Sequence, residues 1–360
     1  MTYSRQDTDV IILDSFEDLT YKNKYLLLDG LNSPAPKLHK NADGLIKTLS
    51  ERVYNKVKGE FSDGEYRKKI LNSLDKKGVR CVTYFSDDYP EDLRQIPNPP
   101  IVLYCKGNLS LLGDRKFAVV GSRITPSNIL KECTKITGEI ARKFTVVTGM
   151  ADGADSSAIE GALPGGKIIS VLAYGFDHCY PAINERLIKK VGKAGLLLSE
   201  YPPEIPPKSY QFPVRNRIIA GLSDAVLVVS AGKKSGALIT AAYAGDYGKQ
   251  VMAFPYSMGI AHGEGCNLLI KKGANLVENT ADVFEAFGLE YRPPENQISL
   301  TQDEQAVLDL IRRTGEAFVS VIAEKLNRQP HQIIPVLSSL EIKGLIIRLG
   351  GNRYTAISQR

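Results

Sequence analysis

The sequence predicts an α/β protein: a Rossmann-like, doubly wound parallel sheet with an N-terminal helical domain and a C-terminal winged helix. Three observations carry that expectation. From Lys116 onward, short β-type runs alternate strictly with segments of helical length, the layout of parallel strands with crossover helices on both faces. Two of those runs, Ala118-Val119-Val120 and Ala225 to Val229, are apolar throughout, as strands covered on both sides require. Residues 300–360 read as three helices and a β-hairpin, which is a winged-helix pattern.

The elements follow in order. Residues 1–78 read as helical, with apolar positions at helical spacing over Lys22–Leu31, Ala42–Val57 and Glu65–Leu74, punctuated by Pro34, Pro36, Gly59 and Gly64. The texture changes at Val79, so a domain boundary is placed near 78. Val79–Phe85 and Ile101–Tyr104 are short β-type runs joined by the proline-rich stretch Tyr89–Pro100. The parallel strands are expected at Phe117–Gly121, Thr145–Gly149, Ile168–Ala173, Leu196–Glu200, Ala225–Ser230 and Gln250–Phe254, within a domain spanning 79–290. Tyr291–Ser299 is polar with two prolines and reads as a linker. Beyond it, Thr301–Arg313 opens with a capping box (Thr301, Glu304) and is followed by helices over Val319–Leu326 and Ile333–Lys343. Leu345–Arg348, Gly350-Gly351 and Arg353–Ala356 form the hairpin. Pro335 falls inside the expected recognition helix, where it removes a hydrogen bond and bends the chain.

Composition narrows the function. At about 100–200 residues per domain, 360 residues suit two or three domains. No apolar run reaches the ~18 residues of a membrane span, and the polar, acidic N-terminus lacks a signal peptide's layout. Five cysteines with no C-x-x-C pair fit a reducing cytoplasm. Four scattered histidines offer no metal centre, so no metal and no cofactor are expected. The net charge is +6 without a polybasic tail, so any nucleic acid is held by placed charges rather than a general field.

In a doubly wound sheet, ligands bind beyond the C-terminal ends of the strands. Those ends open here into Gly121-Ser122-Arg123, Gly149 to Gly153, Gly175-Phe176-Asp177, Tyr201-Pro202-Pro203 and Gly232-Lys233-Lys234-Ser235-Gly236. Glycine lets a backbone approach a ligand and frees amides at helix starts, which suits phosphate, although glycines also serve simply to turn the chain. Pro213 suits a first helical turn, which puts Arg215, Asn216 and Arg217 at a helix N-terminus. Cations there oppose the macrodipole unless a polyanion offsets them, or unless they pair with a carboxylate such as Glu200. Ser235 either caps the next helix or meets phosphate beside Lys233 and Lys234, with Thr240 further along the same helix. Asp155 suits a helix start. Phe176, Tyr180, Tyr201, Tyr210, Phe212 and Tyr256 lie near these loops as rim packing or as stacking platforms for bases. No Walker-type loop, no G-x-G-x-x-G after the first strand and no convergent nucleophile–base set is present, so a binding site rather than an enzyme is expected.

Taken together, the residues resemble the DNA-processing protein A (DprA/Smf) family. The motifs that carry the resemblance are Val119-Val120-Gly121-Ser122-Arg123, Thr148-Gly149 through Asp155, Phe212-Pro213-Val214-Arg215-Asn216-Arg217, Ser235-Gly236-Ala237-Leu238-Ile239-Thr240, and Gly265-Cys266-Asn267. They run in order from about 80 to 280. The resemblance implies a single-stranded DNA-binding protein, usually a homodimer, that loads the RecA recombinase on incoming strands during natural transformation. It places Arg123, Arg215, Arg217 and the glycine loops on the DNA-binding face. Asp152 and Ile159 depart from the family's usual residues, and a carboxylate at 152 repels phosphate.

The residues disfavour two other readings. A phosphoribohydrolase of the related Rossmann type needs a Pro-Gly-Gly-x-Gly-Thr-x-x-Glu block, and the helix that opens at Ser235-Gly236 reaches Thr240-Ala241-Ala242 without a glutamate. A duplex-DNA regulator would act through the winged helix, but residues 298–360 carry only eight basic against six acidic side chains.

Overall fold

The structure, a computed structural model, describes residues 3–20, 23–24, 51–293 and 300–357. Two compact units result, Met1–Tyr291 and Arg292–Arg360. No helix among the described residues is long and apolar enough to cross a membrane.

The first unit is built on a sheet of nine strands among the described residues. They are β1 (Arg80–Thr83), β2 (Val102–Gly107), β3 (Lys116–Gly121), β4 (Thr145–Thr148), β5 (Ile168–Leu172), β6 (Leu196–Ser199), β7 (Ala225–Ser230), β8 (Gln250–Ala253) and β9 (Asn275–Leu276), in the spatial order 1-2-6-5-4-3-7-8-9. The seven strands from β6 to β9 in that order are parallel. Alternation decides what each face buries. Ala118 and Val120 of β3 and Val226 and Val228 of β7 face one core, whereas Phe117, Val119, Ala225, Leu227 and Val229 face the other. Both cores are closed by helices, so every strand residue at the centre is covered, and the near-continuous apolar runs follow from that.

The strands expected between 116 and 254 are all present, with ends that agree to within a residue or so. The N-terminal third differs. β1 and β2 do not form a separate element: β2 pairs antiparallel with β6, Tyr104 opposite Ser199, and extends the same sheet. Of the expected N-terminal helices, all of Lys22–Leu31 except Asn23 and Lys24 and most of Ala42–Val57 lie outside the described residues. The end of the second appears as α2 (Glu51–Ser62), and the third as α3 (Gly64–Lys76). An unexpected helix, α1 (Arg5–Asp14), precedes them, capped by the Ser4 hydroxyl on the Asp7 amide at 3.0 Å.

Packing continues across the boundary expected near 78. Val10, Ile11, Ile12 and Leu13 of α1 share one apolar cluster with Val57, Leu74, Val79, Cys81, Val102 and Tyr104. The helices therefore sit on the outward face of β1 and β2, and residues on both sides of 78 bury each other. Polar bonds add to this. Asp14 accepts from the Tyr104 hydroxyl at 2.8 Å, and Asp7 accepts from the Thr83 hydroxyl at 2.5 Å.

The second unit consists of a helix at Gln302–Thr314, a strand at Glu316–Phe318, helices at Val319–Lys325 and Pro330–Ile342, and strands at Ile346–Leu349 and Arg353–Ala356. The three strands form an antiparallel sheet with the last one central. The expected capping box is present: Thr301 accepts from the Glu304 amide at 3.2 Å, and Glu304 accepts from the Thr301 amide at 2.8 Å. The Pro330–Ile342 helix runs on through Pro335. The expected linker falls mostly at 294–299, outside the described residues.

Candidate nucleic-acid interface

The strand order reverses beside β3: the chain leaves β3 toward β4, β5 and β6, then crosses back to place β7 on the other side. A crevice opens beyond the strand ends at that point, where α/β sheets bind ligands. Its volume is about 680 Å³. One wall is Gly121, Ser122, Arg123 and Ile124 after β3; the opposite wall is Gly232 and Lys234 to Ala237 after β7. The floor is the helix Gln211–Leu222, which contributes Phe212, Pro213, Arg215 and Asn216.

That helix starts two residues before Pro213, so Arg215 and Arg217 stand in its second turn rather than at its N-terminus. Both are about 5% exposed, and they point to different surroundings. Arg217 is removed from the crevice. It makes a bidentate pair with Glu200, at 2.9 Å and 2.5 Å, and its Nε donates to the Asn98 carbonyl at 3.0 Å. Expected on a phosphate-binding face, Arg217 lies in the structure in a packed ion pair that ties the floor helix to the end of β6 and to the Tyr89–Pro100 stretch.

Arg215 lines the crevice. Its Nη1 donates to the Val171 carbonyl and its Nε to Asn216 Oδ1 at 3.2 Å. Among the described residues no carboxylate comes within 4.0 Å of it, and its Nη2 has no hydrogen-bond acceptor. The nearest countercharge is Asp155, across Gly149: a methyl group on Gly149 would stand 2.4 Å from Asp155 Oδ2 and 2.8 Å from both terminal nitrogens of Arg215. Burial pushes the Asp155 carboxyl above its ordinary range, and Arg215 only partly opposes that; burial likewise lowers the Arg215 pKa, with Asp155 opposing. The Ala151 amide donates to Asp155 at 3.3 Å. The result is a buried guanidinium with donors to spare, lining an open crevice.

Above it, Arg123 is exposed, lies 5.7 Å from the centroid of the Phe212 ring and forms no ion pair among the described residues. Asn216 Nδ2 donates to the Gly236 carbonyl at 3.2 Å and so holds the far wall to the floor.

The glycines and helix starts are closely packed against their neighbours. A side chain on Gly153, which has φ +77°, would run into the Ser122 and Arg123 carbonyls at 2.6 and 2.5 Å, and one on Gly121 would run into Ala154 at 2.6 Å. Gly149 and Gly153 do not line the crevice; they let the β4 loop, β3 loop and Arg215 approach one another. The amides opening the Ala237–Asp246 helix are also spent: Ala237 donates to Ser235 Oγ at 3.3 Å, and Leu238 and Ile239 donate to the carbonyls of Ser235 and Gly236. Ser235, Gly236 and Thr240 do line the crevice. Lys233 does not. It pairs with Glu264 at 3.3 Å, and the neighbouring Lys234 takes the place expected of it. His262, also on the rim, carries no sequence signal of its own; it lies in the short 3-10 helix Ala261–Gly263 just before the Glu264–Lys271 helix.

A largely parallel sheet with a crevice at its switch point, lined by Arg123, Arg215 and Lys234, defines a Rossmann-like protein with a basic crevice. The comparisons with known proteins narrow the class. The family model described as DNA recombination-mediator protein A matches residues 80–288, so the chain belongs to that family. It is 43% identical to the DNA processing protein DprA of Streptococcus pneumoniae, over 56% of this chain and 72% of that one. It is 37% identical to the DprA of Bacillus subtilis, over 65% and 78%. Among solved structures, it is similar to that of DprA from S. pneumoniae, with TM-score 0.66, 33% identity, and coverage of 81% and 100%. A second is DprA from Helicobacter pylori, whose description names a single-stranded DNA-binding mode, with TM-score 0.55, 29% identity, and coverage of 59% and 97%.

Proposed function

We propose that this chain binds single-stranded DNA in the crevice between the β3 and β7 loops and, as a homodimer, delivers it to a RecA-type recombinase during natural transformation. The observation that carries the reading is Arg215: a guanidinium more than nine-tenths buried, without a paired carboxylate among the described residues, and open on one side to the crevice. A buried cation in that state is stabilised by an anion brought from outside. Arg123 and Lys234 extend the positive track along the walls, and Tyr180 and Phe212 offer ring faces, the combination that holds single strands without reading sequence. The homodimer is supported by exposed Met258, Ile260, Leu268 and Leu276 at the β8–β9 end of the sheet. The recombinase partner rests on family membership.

The C-terminal unit is read as a winged helix that assists rather than directs binding. Its Pro330–Ile342 helix exposes Ile334 and Ile342, while Lys343 and Arg328 are held by Glu304 and Asp303. Cations that reach carboxylates at 2.7 and 2.5 Å are poorly placed for phosphate.

The test is fluorescence anisotropy with single-stranded and matched duplex oligonucleotides over a range of salt. Single strands bind more tightly, and Arg123→Ala flattens the log K against log [salt] slope by about 0.7, one phosphate's share. Tighter binding to duplex, or an unchanged slope in the folded variant, removes DNA from this crevice.

A further inference from the structure

A second cavity opens off the crevice. Its volume is about 210 Å³, and it shares Arg123, Ala151, Tyr180, Phe212 and Arg215 with the crevice wall. Its own interior is apolar, formed by Met150, Leu172, Ala173 and Tyr174. The surround is firmly built. The Tyr174 hydroxyl donates to the Tyr180 carbonyl at 2.6 Å and accepts from the Tyr180 amide at 3.0 Å. Asn184 Nδ2 donates to the Met150 carbonyl at 3.0 Å, and the Ser156 hydroxyl to the Ala151 carbonyl at 2.9 Å. The Tyr180 and Phe212 rings stand 5.3 Å apart at 58°.

We infer that this chamber receives one base of the bound strand and that Asp152, on its rim, makes the site prefer guanine; the inference rests on the single-strand reading of the crevice. The chamber has apolar walls and aromatic faces for one ring system, and the strand's sugar and phosphate remain in the adjoining crevice. Asp152 supplies the discrimination. Its Oδ1 accepts from the Gly153 amide at 2.8 Å, which fixes the side chain, and its Oδ2 accepts no hydrogen bond among the described residues. A carboxylate accepts only. Guanine presents two adjacent donors, N1–H and the N2 amino group, to such a pair of oxygens, and two acceptors, O6 and N7, to a guanidinium. The chamber rim has both, a carboxylate at 152 and guanidiniums at 123 and 215. Thymine sets its one N–H between two carbonyls, and adenine and cytosine set an amino group beside a ring acceptor; each brings lone pairs against the carboxylate. The same charge that repels phosphate thereby selects a base.

The experiment uses the full chain and thymine oligonucleotides of about 20 nucleotides with isolated guanines, adenines, cytosines or inosines at spaced positions, so that no quadruplex forms. Guanine-containing strands bind about tenfold more tightly than all-thymine strands, and inosine, which lacks the N2 amino group, gives back most of that gain. Asp152→Asn keeps the acceptor for the Gly153 amide but turns an amino group toward the base, so the guanine preference disappears while binding of all-thymine strands becomes tighter. Equal affinity for guanine and thymine strands, or a guanine preference that survives Asp152→Asn, overturns the inference and leaves the crevice reading intact. Failure of every strand to bind overturns the crevice reading itself.

Discussion

Arg215 and Arg217 stand two residues apart on one helix, equally buried, in surroundings that treat a guanidinium in opposite ways. Around Arg217 the protein closes the charge account internally: both Glu200 oxygens and two carbonyls face it. Around Arg215 it stops short, with a carbonyl, an amide oxygen and a carboxylate held off by Gly149. The first arrangement is complete without a ligand and serves the fold. In the proposed reading the second is completed by an anion, since a buried charge without its partner is a cost to stability.

Substitutions separate the two. Arg217→Ala leaves Glu200 buried and unpaired, and is expected to lower stability by about 3–5 kcal/mol in urea unfolding, while the folded fraction retains single-strand binding. Loss of binding with unchanged stability would place Arg217 on the ligand and erase the contrast. Arg215→Gln is the converse. It should weaken single-strand affinity roughly 10- to 100-fold, since hydrogen bonds from a charged donor are lost, with little change in the unfolding midpoint. A large drop in stability would show that Arg215, too, belongs to the fold.

The smallest effect sharpens the comparison from outside the crevice. Glu304, about 5% exposed, resembles Arg217 in being fully answered: Lys343, Ser339 and the Thr301 amide hold its carboxyl down from an ordinary 4.5 to about 2. A depressed carboxyl contributes stability above its ordinary value and loses it as pH falls toward 2. Asp155 has the opposite sign. Its charge costs stability once pH exceeds the ordinary carboxylate value, and acid relieves it. Hydrogen exchange on the full chain should therefore show amides of the Gln302–Thr314 helix losing protection between about pH 4.5 and 2, and Glu304→Gln should flatten that dependence. Protection in that helix that is constant with pH would mean the carboxyl is not held.

These pairs also mark where sequence reading stops. The six central strands were legible because burial on both faces leaves runs such as Ala225 to Val229 with no polar interruption. The Arg-Asn-Arg motif was legible as a functional block, but a linear spacing of two cannot say that one guanidinium meets Glu200 and the other does not. Glycines were read as ligand contacts at 149 and 153 because a backbone without Cβ looks the same whether a phosphate or an arginine presses on it. Helix α1 was missed because its acids look solvent-facing. In the structure Asp7, Asp9 and Asp14 turn inward to Thr83, Arg67 and Tyr104. The attachment of β2 to β6 left no local trace, since the partners are about ninety residues apart.

That pairing sets a timetable for synthesis. The helices before residue 78 and the two edge strands leave the ribosome first, yet the rest of the sheet they extend begins at β6. At translation rates of about 5–20 residues per second, the interval between Gly107 and Ser199 lasts roughly 5 to 20 s. Throughout it, the hydrogen-bonding edge of β2 that later meets β6 has no neighbour, while among the described residues α1, α2 and α3 supply apolar cover for one face of β1 and β2. Because α1 packs on Val79, Cys81, Val102 and Tyr104, the partner for that side of β1 and β2 is made before β6, whereas the partner for the edge of β2 is β6 itself.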